Sequence, residues 1–415
     1  MLKLEAMPLH VSSEVGRLQG VIVHTPGHEV SIVNPEFKDE LLFDDIIFEE
    51  DARAEHREML KIFETAMPAD GMIYQITDLL KEVFENEEAH TYFVEQLVKA
   101  FPEVNLHVIE DELNRLSPGE LLQFALSGTT PAINYFSIDP SPNLLFTRDL
   151  SVVINDHILL SRAAKKARVR ESLMMQTLVG FHPLFDQIKT KSIISSNNGS
   201  IEGGDILVYS DQIVLIGMSE RTSFSSLMGA AEALLESGVK HILAVDIPKK
   251  RSSMHLDTIF TFSDYDECVA FPPGIMEQKQ NVVHLGKKNG RIVTRVMPSL
   301  IGALEELTNI TFKVIKCGGE DRTNQFREQW TDGANVFALA PGVIVGYERN
   351  TNTFDALEDI GYFVVNQYEF IEEYADGSFD PAQSGKLAIT FKGHELCRGR
   401  GGARCMTQPI ARIEL

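Results

Sequence analysis

The chain has 415 residues, 44% apolar and 24% charged, the composition of a globular protein long enough for two to three domains or one large one. Sixty acidic residues against 38 basic ones leave a net charge of −22, which excludes nucleic acid and anionic lipid as main partners because both demand a basic face. No apolar run reaches the roughly 20 residues that cross a bilayer, residues 1–8 are too short and too charged for a signal peptide, and four scattered cysteines (268, 317, 397, 405) without a CxxC pair read as a reduced, cytoplasmic protein lacking structural zinc.

In chain order, residues 18–24 form a short apolar run before Thr25-Pro26-Gly27, a buried strand and its turn. Residues 51–65 are charged and rich in helix formers, a surface helix. Thr77 opens a second helical stretch and residues 89–101 form a third. Ser117-Pro118-Gly119-Glu120 is a helix start with Ser at the N-cap, Pro at N1 and Glu at N3, and that helix stops at Gly128. The span 77–130 is therefore helical, with no strand pair of its own.

Beyond it, four segments repeat one plan: an acidic or amide residue, a strand, a tight turn and a second strand. They are Asp149 with 152–154 and 158–160, Asp205 with 206–209 and 213–216, Asp257 with 258–262 and 268–271, and Asn335 with 336–339 and 343–345. Helix-then-strand pieces follow at 224–245, 299–315 and 353–365. The leading residues lie 56, 52 and 78 positions apart, a degenerate repeat. Four such units, with the N-terminal strand closing on the C-terminal tail, predict an α/β fold of about five radial modules. Radial repetition would gather Asp149, Glu202, Asp257 and the tail at a common centre. The alternative is an ordinary mixed sheet in which the acidic residues only form turns.

Asp149 and Asp257 each precede an apolar strand, where a carboxylate is costly unless it meets a charge. Taken singly, each reads as an ion pair or a turn cap. His255 and Asp257 would share one face of an extended strand, a plausible acid/base unit. Glu202-Gly203-Gly204-Asp205 implies a sharp turn or a close backbone approach. The tail, from Cys397 to Cys405, crowds Arg398, Arg400 and Arg404 among glycines ahead of a thiol. Arginines bind carboxylates bidentately and lower a nearby thiol pKa. No Lys-Ser/Thr pair follows the glycines, so this is no phosphate loop. A loose cationic tail or a Cys397–Cys405 disulfide is the plainer reading, but the apolar residues after Cys405 predict a packed strand. A thiol, a histidine and carboxylates together suit nucleophilic catalysis. Acceptors for a planar cation, with arginines for a carboxylate, fit a guanidinium or amidine on an amino-acid stem.

Seven stretches carry a family resemblance: Leu41-Leu-Phe-Asp-Asp45, Asn143-Leu-Leu-Phe-Thr-Arg-Asp149, Ile201-Glu-Gly-Gly-Asp205, Ser219-Glu-Arg-Thr222, Met254-His-Leu-Asp-Thr258, Arg327-Glu-Gln-Trp330 and Gly399-Arg-Gly-Gly-Ala-Arg-Cys-Met406. In this order they resemble the arginine deiminases of the guanidine-modifying superfamily over nearly the whole length. The resemblance implies a five-bladed pseudo-symmetric α/β propeller. Residues 1–415 would form a single catalytic domain, with 77–130 as a helical insertion that the shorter dimethylarginine hydrolases lack. It implies Cys405 as nucleophile, His255 as general acid/base, Asp149 and Asp257 as the guanidinium grip, and Glu202 as the carboxylate completing the acidic set. Arg168, Arg221 and Arg400 would hold the substrate carboxylate, with Asn143 and Phe146 lining the pocket. Ala403 stands where the family often has proline. The implied reaction is hydrolysis of L-arginine to L-citrulline and ammonium through a covalent thiouronium, with no metal and no organic cofactor. The implied partner is the small molecule, with no nucleic acid or membrane, and a homo-oligomer is left open. Amidino transfer through the same thiol and a non-catalytic arginine binder are the alternatives. A dead relative would be expected to have lost Cys405, His255 or a guanidinium carboxylate.

Overall fold

Strand Leu18–Val23 lies between Gln408–Arg412, to which it is antiparallel, and Met72–Gln75, to which it is parallel. The tail thus closes on the N-terminal strand, as its apolar residues implied. The computed structural model describes residues 8–194 and 199–415, so the leader expectation at residues 1–8 lies, except for Pro8, outside the described residues.

The described residues form five sheets, and each contains an antiparallel pair extended by a parallel strand. Ser151–Ile154 pairs with His157–Leu160, then with Ser192–Ile194 in parallel. Ile206–Ser210 pairs with Ile213–Met218, which takes His241–Asp246 in parallel. Phe260–Asp264 pairs with Glu267–Ala270, which takes Lys313–Lys316. Phe337–Ala340 pairs with Val343–Tyr347, which takes Leu387–Phe391 and through it Phe363–Asn366. Parallel pairing needs a crossover. Helices Glu49–Ala66, Val169–Phe181, Phe224–Ser237, Leu300–Thr308 and Thr351–Glu358 supply one for each sheet.

Helix Glu49–Ala66 is only half a surface helix: Met59, Ile62, Phe63 and Ala66 form a buried stripe at helical spacing. The 77–130 region is helical as expected, with Ile76–Val83, Glu87–Ala100, Glu110–Leu113 and Pro118–Ser127. Ser117 and Glu120 form the full capping box, and Gly128 ends the helix at φ 75°. Leu80, Phe93, Leu97 and Phe124 share one core with Val153 and Ile158 of the first hairpin and Leu178 of helix Val169–Phe181. This burial anchors the hairpin that carries Asp149. The sequence reading did not assign the hairpin Val282–Lys288/Arg291–Met297, although its Asn289-Gly290 turn has both residues at positive φ. Among the described residues no helix is long and apolar enough to cross a membrane.

Three hairpins begin with a 3-10 turn: Thr147–Leu150, Gly203–Asp205 and Leu256–Thr258. This corrects the reading of His255 and Asp257 as one face of a strand. His255 is extended, the chain turns through Leu256–Thr258, and the strand starts only at Phe260. The two side chains therefore leave the backbone on different errands.

Candidate active site

The three turns deliver their side chains to one place. Nδ1 of His255 lies 3.6 Å from Oδ1 of Asp149, and its Nε2 lies 2.9 Å from Oε2 of Glu202. Gly204 makes this packing available: a Cβ there would sit 2.6 Å from His255 Nδ1 and 2.8 Å from Asp149 Oδ1. At Gly203 it would strike the Arg148 carbonyl oxygen at 2.1 Å. The double glycine is thus a close backbone approach. Burial opposes charge on His255, but Asp149, Glu202 and Asp205 outweigh it and lift the imidazole to about 9. Asp205 pins the turn by accepting the Leu256 N–H at 2.9 Å and the Ser219 hydroxyl at 2.6 Å, and burial pushes its own carboxyl up to about 7.

Cys405 arrives from the tail. Its Sγ lies 3.6 Å from Oδ2 of Asp257, and its N–H donates to Oδ1 of Asn335 at 3.1 Å. Asn335 in turn donates from Nδ2 to the Asp257 carbonyl at 2.9 Å, tying the thiol to the third turn. Of the tail arginines, Arg404 does lower this thiol as expected, but it is outweighed. Burial, then Asp257, Asp149 and Asp332, push it well up, and Arg404 only opposes them. The guanidinium of Arg404 is already committed to Glu14, at 2.8 and 3.0 Å, and to Asp257 at 2.8 Å.

The three expected carboxylate-holding arginines differ. Arg168 is fully engaged: it donates to Asp149, to Glu171 at 2.7 Å, and to the carbonyls of Asn143 and Phe146 at 3.0 and 3.2 Å. Arg221 is buried with Nη1 3.6 Å from Glu202 and Nε without a hydrogen bond. Arg400 is buried and none of its three guanidinium nitrogens has a hydrogen-bond partner among the described residues. Asn143 donates to the Leu41 carbonyl at 2.7 Å, and the Phe146 ring occupies the space a Cβ at Gly401 would need.

Phe146, Asp149, Arg168, His255, Arg400 and Cys405 enclose about 20 Å³, with Asn143 and Arg221 also on its wall. That is room for about one water, so a substrate enters only by displacing side chains. Glu202 and Asp257 stand behind this wall, Glu202 against the far nitrogen of His255 and Asp257 against Cys405 and Arg404. The sequence reading missed Leu42, Arg251 and Met254 as lining. Leu42 and Met254 lie within or beside the quoted stretches, but Arg251 carried no signal. It bonds Asp44 at 3.0 Å and the Leu42 carbonyl at 2.5 Å. Asp149, Glu202 and His255 also bring three ligand atoms within 4.8 Å of one another. Arg168 and Arg221 already lie against those carboxylates, so a metal dication would have to displace guanidinium charge. A wider surface groove, about 730 Å³ beside helix Arg322–Trp330, is lined by neither a thiol nor a histidine, and its carboxylate Glu328 is taken up by Asn352 and Thr353.

Residues 112–412 match the sequence profile of the arginine deiminase family. The chain belongs to that family. An arginine deiminase of Bacillus cereus is 32% identical over 436 aligned residues, covering 98% of this chain and 99% of the relative. One from Listeria monocytogenes serotype 4b is 32% identical over 438 residues, covering all of both chains. Among solved structures, DDAH from Pseudomonas aeruginosa complexed with citrulline aligns at TM-score 0.51 and 12% identity, covering 94% of this chain and 99% of that one. An amidinotransferase from Microseira wollei aligns at TM-score 0.53 and 12% identity, covering 99% and 98%. These two likenesses establish the α/β fold. In this member of the arginine deiminase family, a buried thiol, an imidazole raised to about 9 and the carboxylate of Asp149 line one small space, with Glu202 and Asp257 behind it.

Proposed function

We propose that this protein hydrolyses L-arginine to L-citrulline and ammonium, with Cys405 as nucleophile and His255 as general acid and base. One observation carries the reading. Oδ1 of Asp149 and Oδ1 of Asp257 are buried with no hydrogen-bond donor, while Arg400 and the Nε of Arg221 are buried with no acceptor. Orphaned buried groups cost about 1–3 kcal/mol each. A ligand with a guanidinium at one end and a carboxylate at the other satisfies both sets at once. Family membership supports the same chemistry.

In this reading the guanidinium adds positive charge beside Sγ and offsets the carboxylates that hold the thiol up, so the thiolate forms when the substrate is present. Sulfur attacks the guanidinium carbon and a C–S bond forms. His255, protonated below about 9, gives its proton to a terminal nitrogen. The C–N bond breaks and ammonia departs, leaving the thiouronium. The now neutral imidazole takes a proton from water as it attacks the same carbon. The C–O bond forms, the C–S bond breaks, and citrulline and the free cysteine result. Glu202 holds Nε2 of His255, so Nδ1 faces the reaction space.

The same reading treats the five sheets as blades of a pseudo-symmetric propeller and residues 1–415 as a single catalytic domain, with 77–130 inserted as helices. The shared strand plan and the closure of Gln408–Arg412 on Leu18–Val23 support it. Four free, buried thiols fit a cytoplasmic setting. The test is incubation with L-arginine in water alone. Citrulline and ammonium in equal amounts are expected, whereas a requirement for an amine acceptor would mean amidino transfer.

A further inference from the structure

A buried arginine usually gives its N–H groups to carboxylates or carbonyls, as Arg168 and Arg404 do here. Arg400 gives none. Its Cζ lies instead 3.6 Å from the centroid of the Trp330 ring. The backbone here is held, since Arg400, at φ 66° between Gly399 and Gly401, donates its N–H to the Cys397 carbonyl at 3.1 Å. Trp330 is about half exposed, 46%, but the backbone that carries it is held in place. It ends helix Arg322–Trp330, and the preceding Gln329 donates from Nε2 to the carbonyls of Ser252 and Thr258, at 2.5 and 3.2 Å. Those carbonyls flank the turn that carries His255 and Asp257. The indole therefore fixes Arg400 relative to the reacting groups. Two residues on, Asp332 supplies a negative charge that partly offsets the downward push of burial on the Arg400 pKa.

An aromatic face holds a guanidinium by its flat side and leaves the in-plane N–H groups free. A hydrogen-bonding partner would have to be surrendered when a substrate carboxylate arrives, but a ring need not be. We propose that Trp330 is a positioning and specificity-determining residue: its ring presents Arg400, with N–H groups unspent, to the carboxylate of the amino-acid substrate. The proposal rests on the arginine reading above and names what sets its selectivity for the carboxylate end.

The test compares Trp330→Phe and Trp330→Leu on L-arginine and on agmatine, which lacks the carboxylate. Trp330→Leu should raise KM for L-arginine about tenfold with kcat changed less than about threefold, a size within the range of one cation–ring contact to a buried guanidinium. Trp330→Phe should fall between it and the wild type. Agmatine kcat/KM should stay within about threefold. Equal losses on both substrates, or an unchanged KM for L-arginine, would overturn the proposal. A second readout needs no turnover. Trp330 is the single tryptophan of the chain, so its emission should change in Arg400→Gln. Unchanged emission would show that the two side chains do not meet, and the proposal would fall. A wild-type enzyme that makes no citrulline, with an emission change still present, would instead count against the arginine reading.

Discussion

Nη1 of Arg404 lies 2.8 Å from Oδ2 of Asp257, the same oxygen that stands 3.6 Å from Sγ of Cys405. The residue preceding Cys405 thus fixes the carboxylate beside the thiol, and turns the other oxygen, Oδ1, toward no donor among the described residues. Glu14, brought in from the N-terminal segment, and the Ile206 carbonyl take the rest of the Arg404 guanidinium.

Glu14→Gln should therefore destabilise the fold. Removing one partner of a buried ion pair costs about 3 kcal/mol because the other charge is left uncompensated. Burial opposes the Glu14 charge, but Arg404 and Arg148 hold its carboxyl down at about 2. A depressed carboxylate stabilises fully above its unfolded value of about 4.5 and loses that contribution as pH falls through about 2. Urea unfolding should show the wild type ahead of the variant at neutral pH and the gap closing in acid. Equal midpoints at pH 7 would contradict this role.

The alkaline limb of kcat should report His255. Its imidazole, raised from 6.5 to about 9, must be protonated to deliver a proton to the leaving nitrogen, so kcat should fall as pH rises through about 9. Glu202→Gln removes a charged hydrogen-bond partner and should move that limb down by about one pH unit. The sign for stability is the same: the imidazolium contributes fully below 6.5 and is lost through about 9. A limb that does not move would remove Glu202 from this role.

Asp149→Asn and Asp257→Asn keep shape and remove charge. Each should lower kcat/KM at least about a hundredfold, about 2.7 kcal/mol of transition-state stabilisation. Both variants should also melt earlier, because Arg168 and Arg404 lose a charged partner. Kinetics on folded protein therefore decides. Near wild-type kcat/KM would return these residues to the role of turn formers.

Selectivity for L-arginine over agmatine should be large, on the order of several kcal/mol in the wild type, since agmatine leaves the Arg400 guanidinium and the Nε of Arg221 without an acceptor. Steady-state kinetics on both substrates measures it directly. Comparable kcat/KM values would defeat the assignment of the carboxylate pocket.

Local signals survived folding best. Ser117 and Glu120 form their capping box from neighbouring residues alone, and the tail strand was written in the apolar residues after Cys405. The Gly203-Gly204 pair announced a close approach, although only the fold shows that His255 and Arg148 are what approach it. What the sequence hid depends on partners far along the chain. The i, i+2 spacing of His255 and Asp257 suggested a strand, but Leu256 donates its N–H to Asp205, 51 residues earlier, within a turn. Arg404 looked free to activate Cys405 because Glu14, its partner, lies 390 residues away. Arg168 lines the small space as expected, but spacing could not show that Glu171 and Asp149 also bond it. Trp330 belonged to a recognised stretch, yet nothing in spacing could place its ring against Arg400.

Mass analysis of protein quenched in acid during turnover of L-arginine in ¹⁸O-water tests the central claim most directly. The account predicts an adduct on the peptide containing Cys405 equal to arginine less ammonia, its absence in Cys405→Ser, and citrulline carrying one ¹⁸O. Citrulline formed at an undiminished rate by Cys405→Ser, or an adduct on another residue, would contradict it.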